Sequence, residues 1–224
     1  MLKAIIFDMD GTLFQTDRIL EPSLEDTFTW LRSRNQWNAE TPIQKFREIM
    51  GVPLPKAWEL LLPGHSLESR QAADVYFQTA LVNNIHAGRG ALYPHAVETL
   101  RYFSEHNIAV YIASNGLKAY LQAIVETYRL DRWVTETFSI EQIESLNKAD
   151  LVKAILKKYA VEAGSAAVVG DRLSDFEAAK ANGLLAVGCK FDFARDDELA
   201  HAGIVIEDLA ELQRLAGPLA VPAE

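Results

Sequence analysis

Three short segments of the chain are apolar at every position, and each one stops at a polar or glycine residue. They are residues 4–7 before Asp8, residues 108–113 before Ser114, and residues 166–169 before Gly170 and Asp171. A strand that is apolar on both faces is typical of a parallel sheet with helices packed on both sides. The pattern therefore predicts a parallel sheet at the centre of the fold.

Helical patterns separate these segments, and two more apolar segments follow them. The predicted helices cover residues 96–105, 118–129 and 148–159, and the additional strands cover residues 184–187 and 204–206. An alternation of strands and helices is the signature of a doubly wound α/β domain. We therefore predict a Rossmann-like α/β fold.

A long insertion of different character lies between the first two strands. Leu20, Leu24, Phe28 and Leu31 recur at helical spacing, and residues 66–81 form another helical pattern. No alternating or continuous strand pattern occurs there. We expect a catalytic α/β domain formed by residues 1–14 and 89–224, and an inserted α-helical domain formed by residues 15–88.

The composition narrows the range of partners. The 224 residues carry 31 acidic against 22 basic side chains, a formal net charge of -9, which disfavours nucleic acid as a partner. No apolar run approaches the roughly 20 residues that cross a bilayer, so no membrane association is expected. A single cysteine, Cys189, and a start without a signal-peptide pattern lead us to expect a cytoplasmic protein. The oligomeric state is left open.

Polar side chains at the ends of the predicted strands are the candidates for chemistry. In an open parallel sheet, ligands bind outside the carboxyl ends of the strands. One further candidate, a lysine, begins the helix over residues 148–159. The set comprises Asp8, Asp10, Ser114, Asn115, Lys148, Asp171 and Asp175.

Four carboxyl groups in one cavity would repel one another unless a cation lay among them. Ligands that are all oxygen select a hard ion, and Mg²⁺ suits a site that also binds a substrate phosphate. Zinc is disfavoured because the five histidines show no ligand spacing. They are His65, His86, His95, His106 and His201. We therefore expect Mg²⁺ as the cofactor.

A metal-bound carboxylate that faces a phosphate can act as a nucleophile and form an aspartyl-phosphate. Asp8 fits this role, and Asp10 would protonate the leaving oxygen and later deprotonate the attacking water. Ser114 and the amides after it, including that of Asn115, would bind phosphoryl oxygens. Lys148 would neutralise charge on the phosphoryl group and on the nucleophile.

These residues occur in four ordered motifs. They are Asp8-Met9-Asp10-Gly11-Thr12-Leu13, then Ser114-Asn115-Gly116, then Lys148, then Gly170-Asp171-Arg172-Leu173-Ser174-Asp175. The arrangement resembles the haloacid dehalogenase superfamily, and most of all its phosphoglycolate phosphatase type, in which a mobile helical cap follows the first motif. The resemblance implies a small phosphorylated metabolite as substrate. It also implies that Asp8, Asp171 and the backbone carbonyl of Asp10 hold the metal, with Asp175 behind these ligands.

Two other functions remain open beside a phosphomonoesterase. One is a phosphosugar mutase of the same superfamily, although Thr12 resembles the phosphatase pattern more closely. The other is a signalling domain that accepts a phosphoryl group without turnover, which the chain length and the spacing of Asp8 and Asp10 disfavour. Gln15 and Ala149 depart from residues that are frequent in related phosphatases, an aspartate and a proline respectively.

Substrate selectivity is expected from the inserted domain between Phe46 and Leu62, because phosphate contacts are common to all phosphomonoesters. Residues 49–58, with one glycine and two prolines, predict a stiff connection. The family resemblance implies that this connection faces the active site and presents the selective side chains. We expect Lys56 to offer a cation, Trp58 an apolar wall, and Arg47 a second cation.

Overall fold

The computed structural model describes residues 2–49, 54–192 and 194–216. The chain divides into two compact units, Met1–Gln15 with Ala91–Glu224, and Thr16–Gly90. We call them the sheet unit and the helical unit. Their boundaries lie one and two residues beyond the expected ends at residues 14 and 88.

The described part of the sheet unit contains six parallel strands in the order β3-β2-β1-β4-β5-β6, which confirms the predicted α/β class. The strands are β1 (Ala4–Phe7), β2 (Ala109–Ser114), β3 (Glu136–Ser139), β4 (Ala166–Gly170), β5 (Leu185–Cys189) and β6 (Ile204–Ile206). The chain first builds the sheet outward from β1 through β2 and β3, and then returns to the other side of β1 with β4. The strand order therefore reverses beside β1, where doubly wound folds bind ligands.

The helices follow in chain order. They are α1 (Asp17–Ser33), α2 (Ile43–Glu48), α3 (Leu54–Leu61), α4 (Leu67–His86), α5 (Ala96–Glu105), α6 (Lys118–Tyr128), α7 (Lys148–Lys158), α8 (Leu173–Ala181) and α9 (Asp196–Leu199). Short 3-10 helices cover Leu130–Arg132, Ile140–Gln142 and Leu209–Ala216. In the described ranges, no helix combines the length and the apolar character needed to span a membrane.

Strand β1 is buried on both faces because alternate side chains pack against helices on opposite sides of the sheet. Ile6 belongs to a cluster that includes Leu151 of α7 and Ala178 of α8. Phe7 points the other way and contacts Phe103 of α5, with ring centroids 6.4 Å apart. This double coverage explains why the segment is apolar at every position.

Strand β3 is absent from the sequence prediction. It has the sequence Glu-Thr-Phe-Ser and forms one edge of the sheet, so only part of it needs to be apolar. Phe138 is buried, whereas Glu136 and Thr137 remain partly exposed. An edge strand of four residues with mixed polarity leaves no continuous apolar signal for sequence analysis to find.

The described part of the helical unit, residues 16–49 and 54–90, contains helices α1 to α4 and no strand. Helices α1 and α4 make its largest interface, where the buried Asn84 side chain donates to Ser23 Oγ at 2.9 Å. Ser66 caps α4 by accepting from the backbone N–H of Ser69. Residues 54–58 belong to α3 rather than to a connection, so that part of the sequence prediction is wrong; residues 50–53 lie outside the described part of the chain.

Shortening a side chain of strand β1 is expected to lower the free energy of unfolding far more than shortening one of the edge strand β6. Ile6→Ala should lower the free energy of unfolding by about 2–5 kcal/mol, because Ile6 is fully buried and a cavity remains. Val205→Ala in β6 should lower it by about 0.5 kcal/mol, because Val205 is 43% exposed. Urea unfolding followed by circular dichroism measures both changes. Equal losses would contradict the burial pattern.

Candidate active site

The sheet register brings the ends of three strands together. Phe7, the last residue of β1, lies opposite Ile112 of β2 and Val169 of β4. Because the strands are parallel, the residues that follow them leave the sheet at the same edge. Asp8 is held there by its backbone N–H, which donates to the carbonyl of Val169 at 2.8 Å.

Lys148 lies between two of the candidate carboxylates. Its Nζ is 2.8 Å from Oδ1 of Asp8 and 2.5 Å from Oδ1 of Asp175, and all three side chains are buried. Buried charges are stable in a protein only when they are paired. The lysine therefore holds the expected nucleophile and the last motif carboxylate in one ion-paired group.

The start of α7 places this lysine. Asn147 is the N-cap, and its Oδ1 accepts from the backbone N–H of Ala149 at 2.8 Å. A proline at position 149 has no N–H and could not donate this bond. The departure from the family pattern at Ala149 thus has a local role, because it helps to fix the first turn that carries Lys148.

The turn after Asp8 brings the backbone close to Asp171. Gly11 has a φ of 73°, and a Cβ atom there would lie 2.4 Å from Oδ2 of Asp171. A larger residue would suffer both backbone strain and a clash. The next side chain, Thr12, donates from Oγ1 to Oδ1 of Asp171 at 3.3 Å. Glycine and threonine in the first motif therefore position the first carboxylate of the last motif.

Burial and mutual repulsion raise the pKa values of the carboxyl groups. Burial, followed by the charges of Asp8 and Asp175, raises the pKa of Asp171 to about 8. Burial raises the pKa of Asp175 to about 6 against the lowering influence of Lys148, and it also raises the pKa of Asp8. For Lys148, the charges of Asp175 and Asp8 outweigh burial and raise its pKa, so it stays protonated.

Three of these groups have the geometry of a metal site. Ligand oxygens of Asp8, Asp171 and Asp175 lie within 4.8 Å of one another, and the three residues are buried. A set of oxygen ligands suits a hard divalent cation. Burial and the neighbouring carboxylates raise the pKa values of these groups, and a bound divalent cation would stabilise their charged forms. The residues present therefore fit a metal ion.

The remaining candidates of the sheet unit lie at or after the ends of β1 and β2. Asp10 is partly buried, and its Oδ1 accepts a hydrogen bond from the hydroxyl of Tyr120 at 2.5 Å. Ser114 is buried at the end of β2, where its Oγ accepts from the backbone N–H of Gly116 at 3.0 Å. Asn115 is exposed. Sequence reasoning missed Tyr120, since a tyrosine within a helix carries no motif signal of its own.

The loop after β4 is held by a second ion pair. Nε of Arg172 lies 3.0 Å from Oε2 of Glu198, and the same carboxylate accepts from the backbone N–H of Leu173 at 2.7 Å. The backbone N–H of Arg172 donates to Oδ2 of Asp175 at 3.1 Å. Glu198 was not a candidate from the sequence, because it lies 23 residues beyond Asp175 and only the fold brings it to this loop.

The selectivity candidates lie in the helical unit. Lys56 is exposed on α3 and pairs with Glu59 one turn later at 2.6 Å. Arg47 on α2 pairs with Glu21 of α1. Trp58 is 1% exposed: its ring packs against Phe28 and Phe77, with centroids 6.4 and 5.7 Å away.

The indole N–H of Trp58 donates to Oδ1 of Asp74 at 2.8 Å. Both the apolar ring and its polar edge are therefore used inside the helical unit. This structure leaves Trp58 no apolar face to present to a substrate, contrary to the expectation from the sequence. Packing explains the discrepancy, since a tryptophan in a small helical unit supplies a large share of its core.

Comparisons with known proteins show the family of the chain. A family model of haloacid dehalogenase-like hydrolases matches residues 2–183. A phosphoglycolate phosphatase of Pseudomonas fluorescens (strain Pf0-1) is 23% identical over 224 residues, which cover 94% of this chain and 78% of the relative. A 5'-nucleotidase of Pseudomonas aeruginosa is 22% identical over 214 residues, covering 94% of each chain.

A similar fold occurs in the crystal structure of CbbY from Rhodobacter sphaeroides in complex with phosphate. The TM-score is 0.75 at 18% identity, with 95% of this chain and 96% of that chain covered. With the family model matching most of its length, the chain belongs to the haloacid dehalogenase-like hydrolases, so it is an enzyme. The family resemblance expected from the four motifs is confirmed.

Without a divalent cation, the folded protein should lose stability as the pH rises from about 6.5 to about 8.5. The pKa of Asp171 rises from 3.8 to about 8 on folding, so in this range the folded state holds a proton that the unfolded chain has lost. Raising the pH removes this proton and leaves a buried charge in the folded state, so the free energy of unfolding falls. Thermal melts in EDTA should therefore show a lower Tm at the higher pH.

Added Mg²⁺ should raise the Tm more at the higher pH, because it binds the ionised carboxylates of the folded state. The Asp171→Asn variant has no titrating group at this position, so its Tm in EDTA should depend less on pH than that of the wild type. A Tm that increases with pH in EDTA over this range would contradict the assigned direction.

Proposed function

We propose that the chain is a Mg²⁺-dependent phosphomonoesterase that hydrolyses a small phosphorylated metabolite through an aspartyl-phosphate on Asp8. The observation that carries this proposal is the buried position of Asp8, 2.8 Å from a lysine and close to two further carboxylates at the edge of the sheet. The names of the relatives support phosphate esters as substrates, since one is a phosphoglycolate phosphatase and another a 5'-nucleotidase.

The first step is the attack of an Asp8 carboxylate oxygen on the phosphorus atom. The bond to the leaving oxygen breaks, and Asp10 gives that oxygen a proton. In the second step, water attacks the aspartyl-phosphate while Asp10 takes a proton from it, and Asp8 is released. Asp10 therefore ends the cycle protonated, as it began.

Lys148 and Ser114 serve the phosphoryl group. The ammonium of Lys148 already contacts Asp8 and would also face the charge that develops on the phosphoryl oxygens. Ser114 accepts from Gly116 N–H, which leaves its own O–H to donate to a phosphoryl oxygen. The backbone N–H of Asn115 is proposed as a further donor, in keeping with the exposed position of its side chain.

The proposed ligands of Mg²⁺ are the side chains of Asp8 and Asp171 and the backbone carbonyl of Asp10. When bound, the ion would neutralise phosphoryl charge and orient the phosphate toward the nucleophile. Asp175 is proposed to stay with Lys148, 2.5 Å away, rather than to ligate. Its carboxylate then fixes the lysine that faces the substrate.

The helical unit is proposed to act as a cap that selects the leaving group. Lys56 is the main candidate, because its side chain is exposed and its only described ion pair, to Glu59, is also exposed. Exposed ion pairs contribute little, so Lys56 can exchange Glu59 for an anionic substrate group. Arg47 is a second candidate, and Trp58 is left to the core of the unit.

Asp8→Asn is expected to reduce phosphatase turnover at least a thousandfold, because the amide keeps the volume and lacks the nucleophilic charge. Steady-state release of phosphate from 4-nitrophenyl phosphate with Mg²⁺ measures the loss. Wild-type activity should also disappear in EDTA and return with Mg²⁺.

The fold of this variant is checked by circular dichroism, and Cys189→Ala serves as a control that changes a buried residue outside the mechanism. Activity of Asp8→Asn within tenfold of the wild type, with an unchanged spectrum, would exclude the covalent mechanism. Wild-type activity that survives chelation would exclude the metal.

Lys56→Ala is expected to lower kcat/KM for the preferred phosphorylated metabolite by about tenfold to a hundredfold, because it removes a charged contact to the leaving group. Lys153→Ala, which removes an exposed lysine from α7, is the matched control. A small aryl phosphate should be turned over at the wild-type rate by both variants. A metabolite screen by phosphate release supplies the preferred substrate, and equal losses on both substrates would remove Lys56 from selectivity.

A further inference from the structure

A buried tyrosine hydroxyl contacts the proposed acid/base. The Tyr120 O–H donates to Oδ1 of Asp10 at 2.5 Å, and the tyrosine is only 5% exposed. The two residues are 110 positions apart, so the contact depends on the tertiary fold. Tyr120 lies in the first turn of α6, directly after the Ser114 motif.

The ring of Tyr120 lies close to Phe14 and Gly116. It packs edge-on against Phe14, with centroids 6.4 Å apart and an interplanar angle of 79°. A Cβ atom at position 116 would lie 3.0 Å from Cδ1 of Tyr120, so glycine at this position gives the ring its space. Phe14 follows Asp10 in the same loop, and Gly116 belongs to the Ser114 motif. The ring of Tyr120 therefore contacts both the loop that contains Asp10 and the Ser114 motif.

We propose that Tyr120 is a positioning residue that orients the carboxyl group of Asp10 for proton transfer. The inference rests on the proposed function, because it assigns a partner to the acid/base of that reaction. A carboxyl group can rotate about its Cβ–Cγ bond, and a donor fixed on one oxygen restricts that rotation. Positioned groups transfer protons faster than mobile ones, since less reorganisation is needed at the transition state.

The proton moves at the other oxygen, Oδ2. During phosphorylation the Oδ2–H bond breaks, the proton goes to the leaving oxygen as the phosphorus–oxygen bond breaks, and Asp10 becomes a carboxylate. During hydrolysis a proton of the attacking water returns to Oδ2. The Tyr120 O–H stays intact throughout and holds Oδ1 in both steps, so that Oδ2 faces the reacting oxygen each time.

The test uses Tyr120→Phe, which removes the hydroxyl and keeps the ring beside Phe14 and Gly116. Rapid-mixing measurements give the rate constant of phosphorylation with phenyl phosphate, whose leaving group needs a proton, and with 4-nitrophenyl phosphate, whose leaving group needs less help. We expect a loss of about tenfold with phenyl phosphate and less than about twofold with 4-nitrophenyl phosphate. The rate constant for hydrolysis of the aspartyl-phosphate should also fall, and by the same factor for both esters, because both form the same intermediate.

Tyr111→Phe is the matched control. Tyr111 is a buried tyrosine of β2, whose ring packs against Tyr159 with centroids 4.6 Å apart. The Tyr111→Phe variant also loses a buried tyrosine hydroxyl from the sheet unit, but one that does not bond to Asp10. All its rate constants should stay within about twofold of the wild type. Equal losses for the two phenyl esters in Tyr120→Phe would overturn the proposal, because a general structural defect does not depend on the leaving group.

A double-mutant cycle with Asp10→Asn adds a second readout. If Tyr120 acts through Asp10, Tyr120→Phe should change the phosphorylation rate less than about twofold in the Asp10→Asn background. A further tenfold loss in that background would overturn the proposal. This readout compares two variants that share the same Asp10 change, so a small loss of stability common to both cancels.

The outcome separates this inference from the proposed function. If Asp8→Asn is inactive and Tyr120→Phe matches the wild type on phenyl phosphate, the phosphatase proposal stands and the role of Tyr120 is refuted. If Asp8→Asn keeps wild-type turnover, the covalent mechanism fails whatever Tyr120 does.

Discussion

The site is organised by one buried cation. Lys148 contacts Asp8 and Asp175 at 2.8 and 2.5 Å in a region where all three side chains are shielded from water. Removing one partner of a buried ion pair costs about 3–5 kcal/mol, because the charge that remains loses both water and its partner. The carboxylates can therefore stay ionised at the edge of the sheet only while α7 holds its first residue against them. The proposed catalytic geometry and the stability of this edge therefore depend on the same contact.

Parallel pairing explains how these groups meet. Strands β1, β2 and β4 run side by side in register, so the residues that follow them emerge at one edge, and α7 adds Lys148 from a separate part of the chain. Burial, followed by the charges of Asp8 and Asp175, raises the pKa of Asp171 to about 8 against the lowering influence of Lys148. A site of this kind is prepared for a divalent cation before any substrate is present. The burial of neighbouring carboxylates is thus the physical link between the fold and the proposed cofactor.

Sequence reasoning finds features that depend on local pattern and misses those that depend on tertiary contacts. Asp8 and Asp171 follow apolar segments, and Lys148 begins a helix, so each could be assigned from its neighbours along the chain. Strand β3 escaped because an edge strand has no continuous apolar signal. The sequence places Trp58 in a connection, as an apolar wall for the substrate. The structure places it on α3, which begins at Leu54, and its ring packs against Phe28 and Phe77. Contacts between distant segments, such as Tyr120 with Asp10, leave no trace in either segment.

Under the proposed function, the division of the chain into two units would let chemistry and selectivity change separately. Within the described residues, the sheet unit contains the ion-paired lysine, the carboxylate group and the serine, and these need a rigid frame because errors of a fraction of an ångström reduce catalysis. The helical unit carries Lys56 and Arg47 on exposed surfaces, where a substitution disturbs few buried contacts. Exposed positions tolerate change far better than a buried charge network does. Gln15 is the last residue of the first segment of the sheet unit. Its side-chain amide donates to the carbonyl of Leu92 at 2.7 Å, so it connects the two ends of the sheet unit between which the helical unit is inserted. This contact joins the two chain segments that flank the insertion and does not involve the carboxylates proposed to react, so the surface proposed for selectivity could vary without changing it.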